Sequence, residues 1–236
     1  MAERGTNKMN ISNFKTPALM TAHLAQEIEA KLTQAISENG KATLLVSGGK
    51  SPIALFELLN QRDLDWSKVI ISLVDDRWVG TDNSDSNERL VNQYLLVNKA
   101  AAAQFVGLVG SQESAFDGIG DAVERINDIA QIDVMILGMG EDGHTASIFP
   151  CSSQVHDAMS ADNKQRLIAV EPTTAPYQRI SFTLNEILAA KQVYLPLSGE
   201  KKLAVFEQAQ QLSDLAQMPI SAVIKQHNAL DVLVSE

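Results

Sequence analysis

Cysteine is almost absent from this chain. A single one, Cys151, stands among 236 residues, which excludes an internal disulfide framework and any cysteine-rich zinc site. Cations are scarce as well. Lys and Arg number 19 against 29 Asp and Glu, a formal charge of -10, so the chain has no electrostatic footprint for nucleic acid or for an anionic membrane. An anion would have to be held by a few local cations and by backbone N–H groups. No apolar run is long enough to span a bilayer, and the opening M-A-E-R-G-T-N-K-M-N lacks the apolar core of a secretory signal. A soluble, cytoplasmic protein is the simplest reading. Among the 4 histidines no pair stands at ligand spacing on one element, which argues against a bound metal. A G-x-S-x-G elbow is also missing, and Cys151 has no evident partner, so no covalent nucleophile is indicated.

What is present is ordinary globular material, 45% hydrophobic and 20% charged, enough to bury a full core. Thr16-Pro17 reads as an N-cap followed by the first helical residue. Met20, Leu24, Ile28, Leu32 and Ile36 then recur at helical spacing, and Asn39-Gly40 closes the helix. Buried strands are predicted over 42–46, 69–74, 133–137, 167–170, 179–182, 192–198 and 230–234, with a shorter one over 105–108. Helical patterns separate them, including the stripe Phe116, Ile119, Val123, Ile126 and Ile129. Such alternation argues for one parallel or mostly parallel sheet with helices on both faces, a three-layer α/β/α fold. A flexible tail over 1–13 and a single domain over 14–236 are expected.

The informative stretch is 133–150, D-V-M-I-L-G-M-G-E-D-G-H-T-A-S-I-F-P. An apolar strand runs into Gly138, Gly140 and Gly143, with Asp142 and His144 inside the turn. In open α/β sheets, ligands bind at the carboxyl ends of strands. A histidine beside a carboxylate can take a proton from water or from a substrate hydroxyl. The run G-M-G-E-D-G formally matches the dinucleotide fingerprint, but Pro150 follows too soon for the long helix that fold needs. A second loop, S-G-G-K-S-P over 47–52, follows the first buried strand. Ser51-Pro52 reads there as an N-cap and helix start, with Ser47, Gly48 and Gly49 offering free amides to a phosphate or carboxylate. It is not a Walker A motif, because Leu44 stands where the first glycine is needed. Asp75-Asp76-Arg77-Trp78 ends another strand. Arg77, between an apolar strand and Trp78, would be costly as an idle charge.

Together these segments resemble the 6-phosphogluconolactonase family. That family shows S-G-G-x-[ST]-P, here 47–52, and D-E-R-x-V, here 75–79 with Asp76 in place of Glu. A downstream S-N follows, here Ser86-Asn87, and then G-x-G-x-D-G-H-x-A-S-x-F-P, matched over 138–150 at every fixed position. An R-[IV]-[ST] strand beginning at Arg179 and a G-x-x-K helix start ending at Lys202 complete the resemblance. It implies the fold shared by glucosamine-6-phosphate deaminase and ribose-5-phosphate isomerase. It also implies hydrolysis of 6-phospho-D-glucono-1,5-lactone without metal or cofactor, in the pentose phosphate pathway. On that basis His144, Asp142 and Arg77 are expected to be catalytic. Ser47, Gly48, Gly49, Ser51, Asp75, Asn87, Arg179 and Lys202 are expected to hold the substrate and its phosphate. The expected partner is the small sugar-phosphate lactone, with neither nucleic acid nor membrane, and the expected state is a monomer or weak homodimer. A glucosamine-6-phosphate deaminase-like isomerase is the nearest alternative, but Thr145-Ala-Ser-Ile-Phe-Pro150 lacks the acid of the I-A-F-N-E-P that follows D-G-H in that family. A non-catalytic sugar-phosphate regulator is the other.

Overall fold

The computed structural model describes residues 9–236. Residues 1–8 of the expected tail lie outside that range, whereas 9–13, also expected in the tail, do not form one. Met9–Phe14 is strand β1, paired in parallel with the last strand of the chain. Its exposed, polar pattern is that of an edge strand, and for that reason it carried no buried-strand signal.

The other strands of the main sheet are β2 (Ala42–Val46), β3 (Val69–Leu73), β5 (Gln104–Val106), β6 (Val134–Ile136), β9 (Gln192–Ser198) and β10 (Leu230–Ser235). They lie in the order β1-β10-β9-β6-β2-β3-β5, and every neighbouring pair is parallel. β2, β3 and β6 are buried along their whole length, as befits strands covered on both faces.

The expected strands over 167–170 and 179–182 do not join this sheet, and residues 75–77, read as the end of a strand, form one of their own. β4 (Asp75–Arg77), β7 (Leu167–Val170) and β8 (Arg179–Phe182) make a separate antiparallel sheet in the order β4-β8-β7. Val74 is the splice between the two. Its N–H donates to the Val46 carbonyl at 3.0 Å and its own carbonyl accepts from Phe182 N–H at 3.0 Å. Apolar runs of four residues look alike in either sheet, and their pairing direction is a tertiary matter.

Helix α1 (Pro17–Asn39) follows the expected signals closely. The Thr16 hydroxyl accepts from Leu19 N–H at 3.2 Å, Pro17 is the first helical residue, and Gly40 ends the helix at φ 77. Leu24, Ile28 and Leu32 are fully enclosed, each stabilising the fold by about 1.5–3 kcal/mol relative to exposure. Helix α2 (Ile53–Leu59) departs from expectation. Pro52, not Ser51, holds the N-cap position, and no side chain caps it. Helix α3 (Asn87–Tyr94) is capped by the Ser86 hydroxyl.

Helix α4 (Ala115–Arg125) packs Ile119 and Val123 of its stripe half-buried against the core, with Ile126 and Ile129 buried beyond it, but the first residue of the stripe departs from expectation. Phe116 is exposed, whereas Ala115, Gly118 and Ala122 are buried. Trp78 supplies the reason. A Cβ on Gly118 would stand 2.2 Å from the Trp78 Cη2, and the indole is tethered by its N–H to the Gln112 carbonyl at 2.9 Å. Gly120, in the same helix, has no atom within 4 Å of its would-be Cβ. The two glycines should therefore respond oppositely. Gly120→Ala is expected to stabilise by about 0.5–1 kcal/mol. Gly118→Ala gains a similar propensity term but meets an overpacking cost of about 1–3 kcal/mol, leaving a net loss. Equal denaturation midpoints for the two variants would overturn this account of Gly118.

Candidate active site

The chain's course through the main sheet reverses between β2 and β6. From β2 it proceeds outward through β3 to β5, and from β6 it proceeds the other way through β9 to β10. At such a switch point the connections leave in opposite directions and open a crevice beyond the strands' carboxyl ends. Ser47 leaves β2 there and Gly138 follows β6. One hydroxyl ties them together: Ser47 Oγ donates to the Ile136 carbonyl at 2.9 Å and accepts from Gly138 N–H at 3.1 Å.

Above this tie the glycine-rich turn is closed by its own backbone. Gly140 N–H donates to the His144 carbonyl at 2.9 Å, Gly143 N–H to the Gly140 carbonyl at 3.1 Å, and Ile148 N–H to the Thr145 carbonyl at 2.9 Å. The Thr145 hydroxyl donates to the Gly138 carbonyl at 2.9 Å. Gly143 has φ 77, and a Cβ there would lie 2.6 Å from Met218, so both conformation and space require glycine. Ala146 sits at φ 49, a strained value for a residue with a side chain. Within this frame the His144 Nδ1 lies 2.6 Å from Asp142 Oδ1, and that same oxygen accepts His144 N–H at 3.1 Å. Burial pushes the Asp142 carboxyl up, but the two hydrogen bonds and the imidazole's charge outweigh it and hold the group below its usual range. A carboxylate at Asp142 favours the imidazole tautomer with its proton on Nδ1, the tautomer in which Nε2 carries the lone pair.

A cavity of about 600 Å³ lies over the switch point, and Ser47, Gly48, Ser51, His144 and Lys202 line it together with Met20 and Leu24 of α1. Lys202, in the first turn of α7 (Glu200–Gln211), donates its Nζ to the Met139 carbonyl. Histidine, lysine and serine loop thus share one hollow, although they come from three separate parts of the chain. Gly49, at φ 89, shapes the loop but does not line the cavity.

Other expected binding residues stand behind this wall. Asp75 is buried and its Oδ2 accepts the Ser147 hydroxyl at 2.5 Å, while Ser147 N–H donates to Ser181 Oγ at 3.1 Å. The acid thereby clips the histidine loop to the small sheet. Asn87 is buried too, donating to the Asp75 carbonyl at 3.0 Å, and a Cβ on Gly48 would fall 1.8 Å from its Oδ1. Gly48 is glycine because Asn87 occupies the space beside it. Asp76, also buried, accepts from Arg77 N–H at 2.8 Å, Asn87 N–H at 2.7 Å and Glu88 N–H at 3.1 Å, and so caps α3 from outside.

Arg77 and Arg179 are register partners on β4 and β8. Arg77 Nη1 donates to the Asp85 carbonyl at 2.6 Å and Arg179 Nη2 to the Pro176 carbonyl at 3.2 Å. The Nε of each is buried and has no partner. Burial pushes the Arg179 guanidinium below its usual range, with the Arg77 charge adding to it and neighbouring acids opposing it. Each guanidinium therefore keeps a buried donor that no protein group uses, and neither side chain lines the cavity. Their guanidinium contacts depend on which strand pairs with which, and sequence alone did not bring them side by side.

Residues 15–232 match the family described as glucosamine-6-phosphate isomerases/6-phosphogluconolactonase. The chain belongs to this family. A 6-phosphogluconolactonase of Pseudomonas putida is 36% identical to it, across 97% of this chain and 98% of that one. The crystal structure of a 6-phosphogluconolactonase from Shewanella baltica superposes with a TM-score of 0.94 at 42% identity, covering 97% of this chain and 98% of that one. A monomeric glucosamine-6-phosphate deaminase superposes with a TM-score of 0.80 over 97% of this chain and 98% of its own, at 15% identity, a likeness of fold alone. Among the described residues no group of three or more His, Cys, Asp or Glu could hold a metal ion, and no helix is long and apolar enough to cross a membrane.

Sequence reasoning missed part of the site. The wall from α1 was read only as core, because Met20 and Leu24 carry the same periodicity whether they meet another helix or a cavity. Ser147 and Ser181 stand at motif positions, but their mutual contact was not legible, since a serine's partner is set by packing.

Proposed function

We propose that this protein hydrolyses 6-phospho-D-glucono-1,5-lactone to 6-phospho-D-gluconate, a step of the oxidative pentose phosphate pathway. The observation that carries the reading is the Asp142 carboxyl 2.6 Å from the Nδ1 of His144, whose imidazole lines one cavity with Ser47, Gly48 and Lys202. A δ-lactone is an activated ester, so a positioned water and a base suffice. His144 Nε2 takes the proton as water attacks the carbonyl carbon. Asp142 stabilises the imidazolium that forms and fixes its tautomer. The ring C–O bond then breaks, and the alkoxide takes a proton back from the imidazolium. Backbone amides of the 47–49 loop, Lys202 and Arg179 hold the phosphate, and Arg77 faces the charge that develops on the carbonyl oxygen. Anchoring the phosphate orients the lactone, an effect worth several kcal/mol in favourable cases.

The test is hydrolysis of the lactone, generated in situ, measured above the spontaneous rate with a chelator present. Fast, chelator-resistant hydrolysis is expected. Ammonia released from glucosamine 6-phosphate, with no acceleration of lactone hydrolysis, would replace this reading by the isomerase one.

A further inference from the structure

Neither Gly140 nor Phe149 has a role in the chemistry just described, yet both press on His144. Gly140 lies outside the glycines of positive φ, so its backbone conformation does not call for glycine. Space does. A Cβ there would stand 2.1 Å from the His144 Nδ1, 2.3 Å from its Cε1 and 2.6 Å from Asp142 Oδ1. Phe149, 4% exposed, stacks on the same imidazole with ring centroids 4.1 Å apart and planes 25° apart. Phe149 is itself held, since the Arg179 guanidinium carbon lies 5.4 Å from its centroid. Arg179, with an unpartnered Nε, has that ring within cation–π range.

We infer that Gly140 and Phe149 form a clamp that positions the His144 ring. The inference rests on the reading of His144 as the base. A single hydrogen bond to Asp142 fixes one ring atom but not the plane, and the His144 side chain is 30% exposed, so water competes for that bond. Close approach of the bare Gly140 Cα at the Nδ1 edge and of an aromatic ring at the face removes the remaining freedom. Neither residue touches the substrate in this reading. They act through the imidazole, by keeping Nε2 aimed at the water's position, and small errors of aim are costly. A misplacement of about 1 Å can cost on the order of 100-fold in rate.

The experiment pairs Gly140→Ala and Phe149→Leu with Phe149→Tyr, which keeps an aromatic face. Kinetics of lactone hydrolysis are recorded beside the NMR signal of the His144 Nδ1 proton. Gly140→Ala and Phe149→Leu should each lower kcat about 10-fold or more while KM stays within about twofold. Both should broaden the Nδ1 signal by exposing that proton to exchange. Phe149→Tyr should retain both properties. Wild-type kcat in a folded Gly140→Ala or Phe149→Leu protein overturns the clamp, and so does a lowered kcat with a sharp Nδ1 signal. If one of these two variants does not fold, the other decides on the same criteria. Failure of the base reading looks different: His144→Ala would stay active, and the Nδ1 signal would still report whether the clamp holds the ring.

Discussion

Replacing His144 with alanine should lower turnover of the lactone by roughly 10²–10⁴-fold, the range for a lost general base, and leave KM close to its wild-type value. The two halves of that expectation have separate physical sources. On the proposed reading, binding energy comes from the phosphate end, where the amides of Ser47 and Gly48 and the Lys202 ammonium are unaffected by a truncation at residue 144. The barrier on that reading depends on where the water's proton goes, and the truncation removes Nε2 as its acceptor. The fold should tolerate the change, because the His144 side chain is 30% exposed and its loop is closed by backbone bonds that alanine keeps. Asp142→Asn should produce a smaller loss, since an amide can still accept the Nδ1–H bond but cannot stabilise the imidazolium as a carboxylate does. Steady-state kinetics of both variants decide the matter. Turnover within threefold of wild type for His144→Ala would overturn His144 as the base.

The second large effect concerns stability, and Asp76 carries it. The side chain is fully buried, and burial pushes its pKa from 3.8 up to about 7, with the Asp75 charge adding to the shift and three backbone amides resisting it. The folded protein therefore holds this proton more tightly than the unfolded chain does. Its contribution to stability is fully present below about pH 4 and is lost as pH rises through about 7. That displacement corresponds to about 4 kcal/mol, a large share of the roughly 5–15 kcal/mol by which a domain is stable. Asp76→Asn removes the titration. Denaturant unfolding of wild type and variant between pH 4 and 8 should show the wild type losing ground to the variant across that interval. A difference that stays flat would mean that the amides of Arg77, Asn87 and Glu88 keep the carboxylate ionised throughout.

Both predictions depend on residues whose types were readable in the chain and whose surroundings were not. The D-G-H run named His144 and Asp142 as partners because they are two residues apart in a tight turn, where local geometry follows from local sequence. Asp76 was visible only as a departure from the family pattern. Its enclosure arises because Val74 leaves the main sheet and β4 pairs with β8, a choice made by residues about a hundred positions apart. Arg179 likewise was named by its motif, but its seat on Phe149 came from the packing of β8 against the histidine loop.

By itself, the sequence determined the fold class, helix α1 and its caps, the buried parallel strands, the histidine turn and the serine–glycine loop. Each is written in short-range signals: periodicity, caps, and glycines where the chain turns sharply. Tertiary structure alone decided which strands form the second sheet, that β1 belongs to the main one, and that Asp75 and Asn87 brace the site from behind. It also decided that glycine is required at positions 48, 118 and 140 by a neighbour's side chain rather than by backbone conformation. Contacts between distant segments depend on how whole elements pack, and no window of the chain contains both partners.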